Sequence, residues 1–84
     1  MRVIKNIPHN DFKITLYGWN QKYIIKIEDD LYEQTYKVAE FDITSEEDIT
    51  QMMDEDFMES VKLNFANMHI ALSKALAKVN DFED

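Results

Sequence analysis

Hydrophobic and polar residues alternate twice in the first third of the chain. Between Asp11 and Tyr17, Phe12, Ile14 and Leu16 fall on one side, and Lys13, Thr15 and Tyr17 on the other. Between Tyr23 and Glu28, Tyr23, Ile25 and Ile27 take one side again. A period of two predicts half-buried strands. Gly18-Trp19-Asn20-Gln21 stands between them, and Gly and Asn suit the backbone angles of a hairpin turn. A turn centred on Trp19 and Asn20 pairs Leu16 with Tyr23, Ile14 with Ile25 and Phe12 with Ile27. It also sets Lys13 beside Lys26, a mildly repulsive arrangement.

The alternation resumes after Asp29 and Asp30. Tyr32 to Val38 predicts another strand, with Tyr32, Tyr36 and Val38 inward and Gln34 as a polar exception. The apolar parity then shifts to Ala39, Phe41 and Ile43, which predicts a bulge near Ala39 and Glu40. Residues 1–10, interrupted by Pro8, read as an arm or edge strand; residues 11–43 form the antiparallel sheet.

From residue 45 to residue 80 the period changes. Thr44 or Ser45 caps a short helical turn whose apolar side is Ile49, Met52 and Met53, and Thr44 with Glu47 has capping-box spacing. Asp54 or Asp56 then restarts the chain as a long helix without Gly or Pro up to Asn80; the competing reading, one uninterrupted helix from Ser45, would run about 54 Å, long for a domain of this size. At about 100° per residue, Phe57, Val61, Phe65, Met68, Leu72, Leu76 and Val79 form one apolar stripe edged by Ala71 and Ala75. Asp54, Glu55 and Asp56 suit its positive end, and Lys74 and Lys78 its negative end. Asn80 suits a left-handed exit, and residues 81–84 read as a frayed tail. The pattern predicts an α+β domain. Its antiparallel sheet of three to four strands is packed on one face by a long C-terminal helix, with a short helix before it.

The back of the long helix is less usual. Leu63, Ala66, Ile70, Ser73 and Ala77 lie opposite the main stripe, where a one-sided helix carries charge. Scattered exposed apolar residues are common, but a stripe at this spacing predicts a second copy packed on it. Length supports it. An 84-residue chain, 45% hydrophobic and without cysteine, is one small domain with a core that is marginal alone.

Charge separates along the chain. The first 27 residues hold five basic residues and one acid, whereas residues 28–59 hold thirteen acids and one lysine. The net charge of −8 disfavours non-specific nucleic-acid binding. No run is long and apolar enough to span a bilayer, and the start lacks a signal-peptide pattern; a soluble, cytoplasmic protein is expected.

The run Leu16-Tyr17-Gly18-Trp19-Asn20, then Lys22 to Glu28, then Glu33-Gln34-Thr35-Tyr36-Lys37, resembles a family of small uncharacterised bacterial proteins over about half the chain. That family brings no activity and no site residue with it.

Chemistry-bearing motifs are few. His9 and His69 have no metal-ligand spacing, and His69 falls at the border of the main stripe, where it should be half-buried. Ser45, Ser60 and Ser73 lack a nucleophile-elbow context, and Gly18 alone builds no phosphate loop. Asp54, Glu55, Asp56 and Glu59 lack the Gly and spacing of a calcium loop and read as a solvated helix start. No enzyme activity, metal or cofactor is expected.

Lys13, Tyr17, Trp19, Lys22, Lys26 and Lys37 share the outward sheet face or cap its end, and could anchor a protein partner. The alternative is single-stranded nucleic acid, stacked on the aromatics and held by the lysines. Against both, Glu28 and Glu33 on the same face could neutralise the lysines.

Overall fold

The hairpin sits at the centre of the structure, a computed structural model that describes residues 1–80. Strands β2 (Lys13–Trp19) and β3 (Lys22–Glu28) pair antiparallel through a two-residue turn. Asn20 and Gln21 make that turn, with φ of 55° and 64°, the positive angles of a type I′ hairpin. The expected register is therefore corrected by two residues. Leu16 lies opposite Ile25, Ile14 opposite Ile27 and Gly18 opposite Tyr23. Side-chain parity survives, because the shift is even. Lys13 now faces Glu28, not Lys26, so repulsion becomes attraction.

Gly18 belongs to β2, not to the turn. A Cβ there would lie 3.1 Å from Ile4 Cδ1. Its missing side chain is the space that Ile4 of the edge strand fills.

Strand β1 (Arg2–Ile7) lies antiparallel beside β2, with a bulge between Val3 and Lys5, and ends before Pro8. Strand β4 (Glu33–Ala39) pairs with β3, so the sheet order is β1-β2-β3-β4. A 3₁₀ turn over Glu40–Asp42 replaces the expected bulge after β4. It turns Phe41 out to 89% exposure while Ile43 still reaches the core.

Helix α1 (Glu46–Met52) is capped by Ser45, one of the two expected caps, and its capping-box partner is Asp48, so the box lies one residue later than the expected Thr44 and Glu47. The Asp48 carboxylate accepts from the backbone N–H groups of Thr44 (2.7 Å) and Ser45 (3.4 Å). Asp has the shorter reach, and it stands where these amides are left free. Ile49 is fully buried, Met53 packs against the core, and Met52 faces out. Asp54 then caps α2 (Glu55–Asn80) by accepting from Phe57 N–H at 2.9 Å. The helical region is two helices, with the break at Met53 and Asp54. The expected exit beyond Asn80 and the tail of residues 81–84 lie outside the described residues.

The core holds Ile14, Leu16, Ile25 and Ile27 from the sheet with Ile49, Met58, Val61 and Phe65 from the helices. Helix α2 runs opposite to β4. Tyr36 meets Phe57, with ring centroids 5.3 Å apart. Gln34 Nε2 donates to the Val61 carbonyl oxygen at 2.9 Å, and Tyr32 Oη meets His69 Nδ1 at 3.1 Å.

Tyr32 is where the sheet ends. A seven-residue strand covers about 23 Å and a 26-residue helix about 39 Å, so α2 must outrun its sheet. Residues 69–80 are exposed throughout. Leu72, Leu76 and Val79, expected on the core, are exposed instead. The main stripe is a core stripe only as far as Met68. His69, expected half-buried, is also exposed.

Candidate interaction faces

Both helices cover the same side of the sheet, because all their core partners come from the Ile14, Leu16, Ile25 and Ile27 face. The other face is built row by row from the register. One row is Asn6, Thr15, Lys26 and Thr35; the next is Val3, Tyr17, Ile24 and Lys37; the last, at the hairpin end, is Trp19, Lys22 and Ala39.

This face is not uniformly wet. Thr15 and Ile24 are buried on it although neither belongs to the core cluster. Thr15 Oγ1 donates to Asn6 Oδ1 at 3.4 Å. Neither helix packs on this face, which leaves neighbouring side chains of the sheet to cover the two residues. Long lysine stems serve this purpose well, covering apolar surface while their ammonium groups stay in water.

The six expected residues do share this side, but they divide into two groups. Lys26 pairs with Glu33 at 3.7 Å, and Lys13 lies opposite Glu28; that end is close to neutral. Lys22 and Lys37 stand at the hairpin end with Tyr17 and Trp19, and neither is in a salt bridge among the described residues. Trp19 is 52% exposed. The result is a basic, aromatic patch with Ile24 as its apolar floor. Val3 and Ile24 were not singled out from the sequence. Ile24 lies at an outward position of an alternating strand, and an apolar residue there is the available signal. Val3 joins through the β1 pairing, which the short mixed N-terminal segment does not specify.

The second expected surface, the outer stripe of α2, is open along its length. Leu63 is 62% and Ile70 50% exposed, and Ala66, Ser73 and Ala77 are exposed with them.

Other chemistry is absorbed by the fold. His9 stacks on Phe12 (5.3 Å between centroids), and its Nδ1 accepts from Asp11 N–H at 3.1 Å. The Asp29 carboxylate accepts from Leu31 and Tyr32 N–H groups at 2.9 and 2.8 Å, which fixes the β3–β4 turn. Asp11 pairs with Lys62 at 3.7 Å. These acids line an open hollow of about 480 Å³ beside Phe65, Ala66 and His69. Of the acids at the start of α2, Asp54 is its cap. Among the described residues no group of three or more His, Asp or Glu side chains is placed to hold a metal ion. No helix of the described residues is long and apolar enough to cross a membrane.

No family model, curated protein or solved structure matches the chain.

Proposed function

We propose that the chain is a non-enzymatic, cytoplasmic protein-interaction module. It pairs as a homodimer through α2 and docks a protein partner on the helix-free sheet face. One observation carries the docking half: Trp19 stands half-exposed at the hairpin end of that face, beside Tyr17, Lys22 and Lys37. Aromatic anchors ringed by cations favour a partner segment that brings one apolar side chain and flanking carboxylates. The neutral end, where Glu33 holds Lys26 and Glu28 faces Lys13, limits how far a phosphate backbone could be followed. A protein segment therefore fits this face better than single-stranded nucleic acid.

The test is selection of acidic, apolar-anchored peptides from a displayed library, followed by titration against the labelled protein. Amide shifts are expected at Tyr17, Trp19, Lys22, Ile24 and Lys37, and Trp19→Ala or Lys37→Glu should remove them. A library that returns no binder, or binders that shift other residues, rejects the reading. Single-stranded RNA or DNA that binds these same residues with a steep salt dependence replaces it with the nucleic-acid alternative.

A further inference from the structure

Beyond His69, which still meets Tyr32, the eleven residues 70–80 of α2 extend past the sheet and are exposed. The packed half of α2 nucleates this stretch, but most helical stability in proteins comes from packing of an apolar face, and the overhang packs on nothing in the single chain. Something that lies along it would hold it in shape, and the outer stripe indicates what.

Glu59, Leu63, Ile70 and Ala77 fall within an arc of about 40° on the outer side of α2. Place a two-fold axis across that arc, level with the step from Ala66 to Asn67. An antiparallel copy then sets Leu63 opposite the partner's Ile70, and Ile70 opposite the partner's Leu63. The same operation sets Lys74 opposite the partner's Glu59. Asp56 comes opposite the partner's Ala77, on the flank that carries the partner's Lys74 and Lys78. Ala66 sits at the centre, where a small side chain lets the backbones approach.

Three physical terms agree on this arrangement. Apolar side chains meet apolar side chains. Acids of the first turns meet lysines of the last, and none of Asp56, Glu59, Lys74 and Lys78 is in a salt bridge among the described residues. Antiparallel helices also bring opposite ends of their dipoles together. A parallel pair would instead stack Lys74 on Lys74 and Glu59 on Glu59. In the antiparallel pair, each overhanging half lies along the half of its partner that the partner's sheet supports.

We infer that the outer face of α2 is an isologous seam for a second copy of this chain, antiparallel and centred between Ala66 and Asn67, locked by Lys74 with the partner's Glu59. This inference rests on the homodimer proposed above and is independent of sheet-face docking. The seam has two large apolar residues per copy, so it belongs to the small class of interfaces. It is a weak dimer that dissociates further as salt rises.

The test is sedimentation of the whole chain from about 1 µM to about 1 mM, a range that brackets the Kd of a small interface. The parent dimerises. Lys74→Glu weakens the dimer by roughly tenfold or more, because each seam holds the pair twice. Lys74→Glu with Glu59→Lys restores it to within a few fold. Ile70→Glu dissociates it, and Leu76→Glu, on the inner side, leaves the mass unchanged. Circular dichroism of each variant shows the parent's helix and sheet signal, since all four positions are exposed. A dimeric parent whose charge swap gives no rescue overturns this register and leaves pairing on α2 standing. A dimer lost with Leu76→Glu and kept with Ile70→Glu overturns it in favour of the inner stripe. A parent monomeric over the whole range overturns the seam and the homodimer together, while the peptide titration judges docking separately.

Discussion

Gln34 reaches from β4 to the Val61 carbonyl oxygen of α2, donating across 2.9 Å. The same side chain accepts from Tyr36 Oη through Oε1. A polar residue in an inward series thus ties the edge strand to the helix, with both ends of its amide used. Val61 itself is fully buried, so the bond is partly shielded from water. Removal should be felt: Gln34→Ala is expected to lower unfolding free energy by about 1–2 kcal/mol, measured by urea denaturation. Gln34→Glu should be worse, since it loses the donor and adds charge between two carbonyl- or hydroxyl-bearing groups.

The hairpin turn offers a gain. Gln21 holds φ of 64°, a region that a residue with a Cβ occupies at some expense. Gln21→Gly gives the Asn-Gly pair favoured in a type I′ turn. It should stabilise the chain by about 0.5–1 kcal/mol, seen as a higher midpoint in thermal unfolding. The backbone bond from Glu40 N–H to the Gln21 carbonyl oxygen, 3.0 Å, is unaffected by the change.

Two apolar residues on one helical stripe should behave unlike one another. Phe65 is buried against Phe12, with ring centroids 5.2 Å apart, and Phe65→Ala should cost about 3–5 kcal/mol. Leu76 is 46% exposed on the overhang, and Leu76→Ala should shift stability by about 0.5 kcal/mol or less. Parallel denaturation curves of the two variants at low protein concentration check the contrast.

The strands could be located from alternation because burial on one face leaves a period-two trace. Phe12, Ile14, Leu16, Ile25 and Ile27 carry it without interruption. Register was less legible. Two alignments of this hairpin differ by two residues and keep every apolar side chain inside, so parity cannot separate them. Turn geometry decides, and it places Asn20 and Gln21 at positive φ, although Gly18 is the residue best suited to such angles. Gly18 instead answers to Ile4, a tertiary contact with no local mark.

The long helix was legible by period and cap, yet its burial was not. Leu72, Leu76 and Val79 repeat the spacing of Val61 and Phe65, and spacing carries no information about where a sheet stops. Comparing strand length with helix length would have shown the overhang. Of the sheet-face residues, Tyr17, Trp19, Lys22 and Lys37 stay together. Lys13 comes opposite Glu28 only in the corrected hairpin register, and Lys26 is drawn to Glu33 across the β3–β4 pairing.

The strand order β1-β2-β3-β4 has a consequence for how the chain reaches this shape. Every strand pairs with its neighbour in sequence, so each pairing closes only a short loop and little chain entropy is lost before contacts repay it. Such a meander should assemble on the order of milliseconds. During synthesis the four strands leave the ribosome before α2 does, so they are free to pair before the helix that completes their core.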